Sequence, residues 1–206
     1  MARPKKDGTP TADTRIENAF FDVLTTTPFD KITVSAVVQA AKVNRNSFYY
    51  HFTDLDHLAR SAMANLLIPE IPQLLANGFR PAAAEIDEVL EHSATETGQL
   101  HRIPTIMGPH STTTLRNMLK DAIIRLWLTV FRLAPEDFDA QTEATVHFAL
   151  GGMLELFSDI PPDADILEAL RRFRRLPIVE ATAQIAMETL TAASRRAAER
   201  RDGTAS

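Results

Sequence analysis

Ile16, Ala19, Phe20, Val23 and Leu24 recur at i, i+3, i+4, i+7 and i+8. That spacing predicts a helix from about Thr11 to Thr26 with one buried stripe, ended by Pro28. Val34, Val37, Val38 and Ala41 then share one face of a short helix that Thr33 is placed to cap. Lys42-Val43-Asn44 reads as a turn, and Asn44 as the N-cap of a second short helix, Arg45 to His51. Phe48 and Phe52 sit four apart and so face inward together. Arg45, Asn46, Ser47, Tyr49, Tyr50 and His51 are left facing outward or flanking the buried stripe.

Further helices follow. Leu55 to about Leu67 starts after Asp54, and Pro69 and Pro72 close it. Ala82 to about Leu100 is helical. His101–Ser111, with Pro104, Gly108 and Pro109, reads as a loop. Thr112–Leu133, Glu136–Ser158, Asp163–Arg175 and Pro177 to about Arg200 complete the pattern, with Pro161-Pro162 as a break. Strand alternation and internal repeats are not seen. The predicted fold class is all-α. A flexible basic tail, 1–10, precedes an N-terminal three-helix helix-turn-helix domain, 11–54, and a C-terminal helical domain, 55–206.

His147–Phe157 is apolar almost all round, so it must be covered on every side, by its own domain or by a second subunit. Gly151 and Gly152 in mid-helix cost roughly 1 kcal/mol each against Ala, which close backbone approach would justify. Ile178, Thr182, Ile185, Ala186, Thr189 and Ala193 form a second stripe of small and apolar residues.

Charge changes the picture by its split. Up to Leu66 there are eight Lys and Arg against seven Asp and Glu, and beyond it 14 against 20, within a whole-chain charge of −5. Only the N-terminal part is an electrostatic partner for DNA, and a modest one. Arg3, Lys5 and Lys6 suit a basic arm along a nucleic-acid backbone, or a solvated tail. The chain has no Cys, which excludes disulfides and thiolate metal sites. The polar start MARPKKDGTPTAD predicts no secretory signal, no stretch has the length of a membrane span, and a cytoplasmic protein is expected.

The outward set on the second short helix suits DNA chemistry. Arg can contact guanine with two hydrogen bonds and Asn can do so with adenine. Ser, Tyr and His suit phosphate oxygens, which fix register without reading sequence. An ordinary surface helix would more often carry Glu, Lys and Ala.

On these residues the stretch from Ile16 to Leu58 resembles the DNA-binding domain of the TetR family of bacterial transcriptional regulators. The matching parts are the amphipathic first helix, Pro28-Phe29-Asp30-Lys31-Ile32-Thr33-Val34, and Val43-Asn44-Arg45-Asn46-Ser47-Phe48-Tyr49-Tyr50-His51-Phe52. The resemblance implies that Thr33 and Asn44 cap helices and touch phosphate. It implies that Arg45, Asn46 and Tyr50 lie at or near base edges, and that Ser47, Tyr49 and His51 mostly contact the backbone. Two departures stand out. Lys42 replaces the usual turn Gly, where positive φ disfavours a Cβ but a positive charge could approach phosphate. Leu55 replaces the usual Lys after the aromatic ending, between Asp54 and Asp56.

The resemblance further implies a homodimer on double-stranded DNA, with Gly151, Gly152, Ile178, Thr182, Ile185 and Thr189 at a two-fold interface. A monomer core is the plain alternative. It also implies a small, largely apolar effector, with a pocket lined from Met107, Met118, Trp127, Phe131, His147 and Met153, against ordinary core packing for each. The expected function is a ligand-responsive repressor on a palindromic operator. The alternative is a ligand-independent DNA-binding or adaptor protein of the same fold. An enzyme is not expected. Glu143 and His147, four apart on one helix, could form a metal or acid–base pair but are most simply a hydrogen bond or weak ion pair, and no phosphate loop, nucleophile elbow or zinc-protease motif occurs. Catalytic residues, metal ligands and cofactors are therefore expected to be absent.

Overall fold

The structure, a computed structural model, describes residues 10–76, 83–94, 100–161 and 164–203. The basic tail with Arg3, Lys5 and Lys6, positions 82 and 95–99 of the stretch expected to be helical from Ala82 to about Leu100, and Pro162 and Asp163 lie outside the described residues. The described residues form 11 α-helices and no strand. None of these helices is long and apolar enough to cross a membrane.

The N-terminal unit is built on α1 (Ala12–Leu24), α2 (Val34–Ala40) and α3 (Arg45–His51). Its core holds Ile16, Ala19, Phe20, Leu24, Val37, Ala41, Phe48 and Phe52, the inward positions the periodicity predicts. Phe29, in a 3-10 turn over Phe29–Lys31, meets Phe20 edge-on at 6.1 Å and closes the path from α1 to α2. Helix α4 (Leu55–Ala64) buries Leu58, Ala59, Ala62 and Met63 against this unit.

Three segments differ from the sequence reading. Helix α5 (Glu70–Ala76) forms where Pro69 and Pro72 were expected only to close a helix. Both prolines fall at or before its third residue, where a missing N–H costs no helical hydrogen bond. The segment read as a loop holds a 3-10 turn, Leu100–Arg102, and helix α7 (Ile103–Met107), with Pro104 likewise in the first turn. Gly108 caps the end of α7 in extended backbone, where a Cβ would lie 2.6 Å from the Pro104 carbonyl oxygen, so only glycine fits without a shift. Finally, Pro135–Asp137 is a 3-10 turn, and the long helix expected from Glu136 starts at Ala140 under an Asp139 cap.

The body comprises α6 (Ala83–His92), α8 (Thr113–Val130), α9 (Ala140–Ser158), α10 (Ile166–Arg174) and α11 (Pro177–Gly203), with α5 and α7. Three apolar clusters hold it together. The first is continuous with the N-terminal core: Ile106, Met107, Leu115, Met118, Leu119, Ala122 and Leu154 join residues of α1 and α4. The second packs Trp127, Phe131 and Leu133 against Val146, Leu150, Leu190, Ala193 and Ala197. The third joins Leu90 and Leu100 to Ile160 and Ile166, and Arg171 and Arg174 of α10 pair with Asp87 and Glu91 of α6 beside it.

Candidate nucleic-acid interface

Both short helices are capped as their sequence predicts. Thr33 Oγ1 accepts from the Ala36 N–H at 3.2 Å, and Asn44 Oδ1 from the Ser47 N–H at 2.7 Å. The turn between them has a definite geometry. Lys42 sits at φ 53°, the Val43 N–H reaches back to the Val38 carbonyl at 3.1 Å, and the Lys42 N–H to Gln39 at 3.2 Å. This is the paired bonding of a left-handed helix stop, whose central position favours Gly. Lys42 holds it at a cost of about 1–2 kcal/mol. Arg132 (φ 53°) ends α8 through the same pair of bonds, from Leu133 to Leu128 and from Arg132 to Thr129.

Phe48 is fully buried and Phe52 nearly so, with centroids 5.8 Å apart. That anchoring turns the other side of α3 outward. Arg45 and Asn46 are exposed, Tyr49 is half-exposed, and Tyr50 is 85% exposed, the highest among the exposed large hydrophobics. Ser47 and His51 flank the buried stripe, and the His51 ring stands edge-on to Tyr50 at 4.9 Å. Thr33, Lys42 and Asn44 are exposed at the α2–α3 turn and helix starts. All nine residues read as DNA-contacting thus belong to one short stretch of two helices. An exposed tyrosine on a capped helix presents a flat apolar ring and a hydroxyl to whatever approaches it.

Asp54 caps α4 by accepting from the His57 N–H at 2.7 Å. That backbone hydrogen bond, helped by Thr53, holds its carboxyl below the usual range. His57 Nδ1 accepts in turn from the Thr53 N–H at 3.2 Å, so the loop from Phe52 to Leu55 is tied at both ends. Asp13, at the start of α1, is also held low, chiefly by Thr11 and slightly by the nearby His51. Leu55 tucks partly into the core rather than standing in solvent.

A polar junction beneath the helices was not anticipated from sequence. Glu17, only 8% exposed, accepts from Ser61 Oγ at 2.8 Å and from Asn65 Nδ2 at 2.9 Å, so it ties α1 to α4. Arg102 donates to Asn18 and lies over the Phe21 ring at 4.5 Å. Burial lowers its pKa, while the nearby carboxylates of Glu17 and Asp22 favour its charged form. A Glu at the edge of an apolar stripe was the available signal for this junction.

In the body, the six residues read as pocket lining are not gathered round one space. Met107 and Met118 are buried in the first cluster. Trp127 and Phe131 are buried in the second, with Met153 packed against it. His147 is exposed, with its Nδ1 3.2 Å from Lys120 Nζ, as is Glu143. A groove of about 250 Å³ lies between the start of α9 and α11, lined in part by Asp139, Thr142, Ile185 and Arg196.

Of the six residues read as interface, Gly151, Gly152, Ile178 and Ile185 are exposed and Thr182 and Thr189 half-buried. Phe148 on α9 is also exposed, at 76%, as are Ile178 at 68% and Ile185 at 57% on α11. A Cβ added at Gly151 or Gly152 would meet nothing within 4 Å.

Compared with known families, residues 19–62 match a family model described as bacterial regulatory proteins, tetR family. No curated protein matches the chain.

Proposed function

Residues 19–62 are the N-terminal DNA-binding domain of a tetR-family transcriptional regulator, a family without enzymatic activity, and from this premise we propose that the chain is a repressor that binds a palindromic operator as a homodimer. The observation that carries it is the split of α3. The buried aromatics Phe48, within it, and Phe52, at its end, orient Arg45, Asn46 and Tyr50 together outward, where a major groove would meet them.

The dimer rests on the uncovered face of α9 and α11. Phe148 on α9 and Ile178 and Ile185 on α11 are large apolar side chains left exposed on two helices that pack together, which suits an interaction surface. Mid-helix glycines that relieve no contact within the chain are accounted for by a neighbour's backbone coming close. A second copy supplies that neighbour through a two-fold axis, and the axis sets two α3 helices to half-sites about 34–36 Å apart. Repression follows from occupying an operator that overlaps a promoter.

The effector belongs to the same proposal. An apolar molecule entering among α7, α8 and α9 acts by favouring a dimer whose α3 helices no longer match successive grooves. One observation favours the second reading, a ligand-independent binder: four of the six residues read as lining are closed core in two separate clusters.

The test is Arg45→Ala in the full chain, assayed for binding to selected and scrambled duplexes. The expected loss is about 1–3 kcal/mol on the selected site only, with one base preference relaxed. Unchanged affinity and unchanged preference in a folded variant would refute Arg45 as a base reader. Thermal shift against apolar small molecules separates a sensor from a ligand-independent binder.

A further inference from the structure

The contacts that Arg45 makes inside the protein point to how its reading of a base is set. Arg45 is the first residue of α3, and no acidic residue stands in that first turn. A cation at the positive end of a helix is disfavoured there. Both contacts the structure gives its guanidinium are instead with Tyr49, one turn further on. Nη2 donates to Tyr49 Oη in a long hydrogen bond of 3.5 Å, and the guanidinium carbon lies 5.8 Å from the ring centroid.

The Tyr49 ring is itself packed against the core on one side. It stands edge-on to Phe48 at 5.4 Å and 86°, and Phe48 is fully buried and packed on Phe52. The Arg45 side chain is therefore referenced, through one ring, to the core of the domain. Its long stem otherwise carries about 2 kcal/mol of rotamer entropy, part of which must be lost when it orders on a base. A guanidinium has five N–H donors. The weak bond to Tyr49 uses one and leaves the others for the two acceptors, N7 and O6, that guanine shows in the major groove.

We propose that Tyr49 is a positioning residue that sets sequence specificity by holding Arg45 for a guanine edge. It is more than a contact to phosphate. This rests on the reading of Arg45 as a base reader. The two roles separate cleanly, because a phosphate contact carries no sequence information and its loss weakens all duplexes alike.

The experiment uses the full chain and a random double-stranded library. Base preferences are measured for the native chain, Arg45→Ala, Tyr49→Phe, Tyr49→Ala and the Arg45→Ala/Tyr49→Ala pair, with thermal unfolding as the check on folding. Expected is that Arg45→Ala relaxes one position, that Tyr49→Ala lowers discrimination at the same position by about fivefold or more, and that the pair loses no more there than Arg45→Ala alone. Tyr49→Phe, which keeps the ring and loses the hydroxyl, shows a smaller loss at that position. Intact discrimination there in Tyr49→Ala overturns the proposal, whatever happens to overall affinity. If Tyr49→Ala does not fold, intact discrimination in Tyr49→Phe overturns it. If Arg45→Ala leaves every preference unchanged, or the native chain enriches no motif, the base-reader reading fails first and takes this proposal with it.

Discussion

The guanidinium of Arg102 lies over the ring of Phe21, 4.5 Å from its centroid, and donates to Asn18. This one side chain, from the turn before α7, fastens the helical body to α1. Glu17 carries the tie onward to α4 through Ser61 and Asn65. A displacement of α7 against the DNA-binding unit must therefore exchange these contacts. Arg102→Ala is expected to lower stability by about 1–3 kcal/mol, the range of a partly desolvated cation–ring contact plus a lost charged hydrogen bond. Denaturant unfolding checks this. Hydrogen exchange adds a local signature, faster exchange across α1; protection equal to that of the native chain would show that Arg102 is not a fastener.

Lys42 offers a trade between stability and charge. At φ 53° a Gly is relieved of the Cβ strain. Lys42→Gly is expected to raise stability by roughly 1 kcal/mol. If the lysine also faces phosphate, the same change reduces the salt slope of DNA binding by about 1. Thermal unfolding and an anisotropy titration across salt concentrations read the two effects separately. A stability gain with an unaltered slope assigns Lys42 to the turn alone.

Asp54 caps α4, and its carboxyl is held low by the His57 N–H it accepts from. Its contribution to stability is therefore fully present above the ordinary carboxyl value of 3.8 and lost as pH falls through its lower folded value. Asp137, held by the Ala134 N–H and by Arg200, and Asp139, held by Thr142, add to the same acid sensitivity. Asn keeps the capping oxygen without the charge. Asp54→Asn should flatten the acid limb of a stability-against-pH curve and tighten binding to any duplex at low salt, since one carboxylate is removed near the phosphates. An unchanged acid limb would show that the cap does not titrate in this window.

Gly152 separates helix propensity from association. Leu in place of Gly within α9 favours the helix by roughly 1 kcal/mol, and the space around it within one chain is open. Across a two-fold axis the same side chain would collide with the partner. Gly152→Leu is thus expected to give a well-folded chain that sediments as a monomer. A dimer as tight as that of the native chain would remove this face from the interface.

Legibility in the sequence followed periodicity and capping. The stripe of Ile16, Phe20 and Leu24, the caps at Thr33 and Asn44 and the inward pair Phe48 and Phe52 are local signals, and each stands where it was expected. The strain at Lys42 was legible through the family resemblance, which places a Gly in that turn, and the positive φ found there agrees. Helices α5 and α7 were hidden because Pro72 and Pro104 read as breakers, although proline is tolerated within a first turn. The junction of Glu17 with Ser61 and Asn65, and of Arg102 with Asn18, joins residues 44 to 84 positions apart, beyond the reach of any local pattern. The division of four of the six pocket candidates between two clusters was hidden for a related reason. Residue type marks Met and Trp as adaptable core, but only tertiary packing decides which cluster each enters.

The most direct measurement is selection of bound fragments from random and genomic DNA, followed by titration of the recovered sequence and determination of the number of chains bound to it. Expected is one palindromic motif, half-sites about one helical turn apart, two chains per site, and affinity well above that for scrambled DNA. A folded protein that enriches no motif, or that binds all duplexes alike, would contradict an operator-binding dimer.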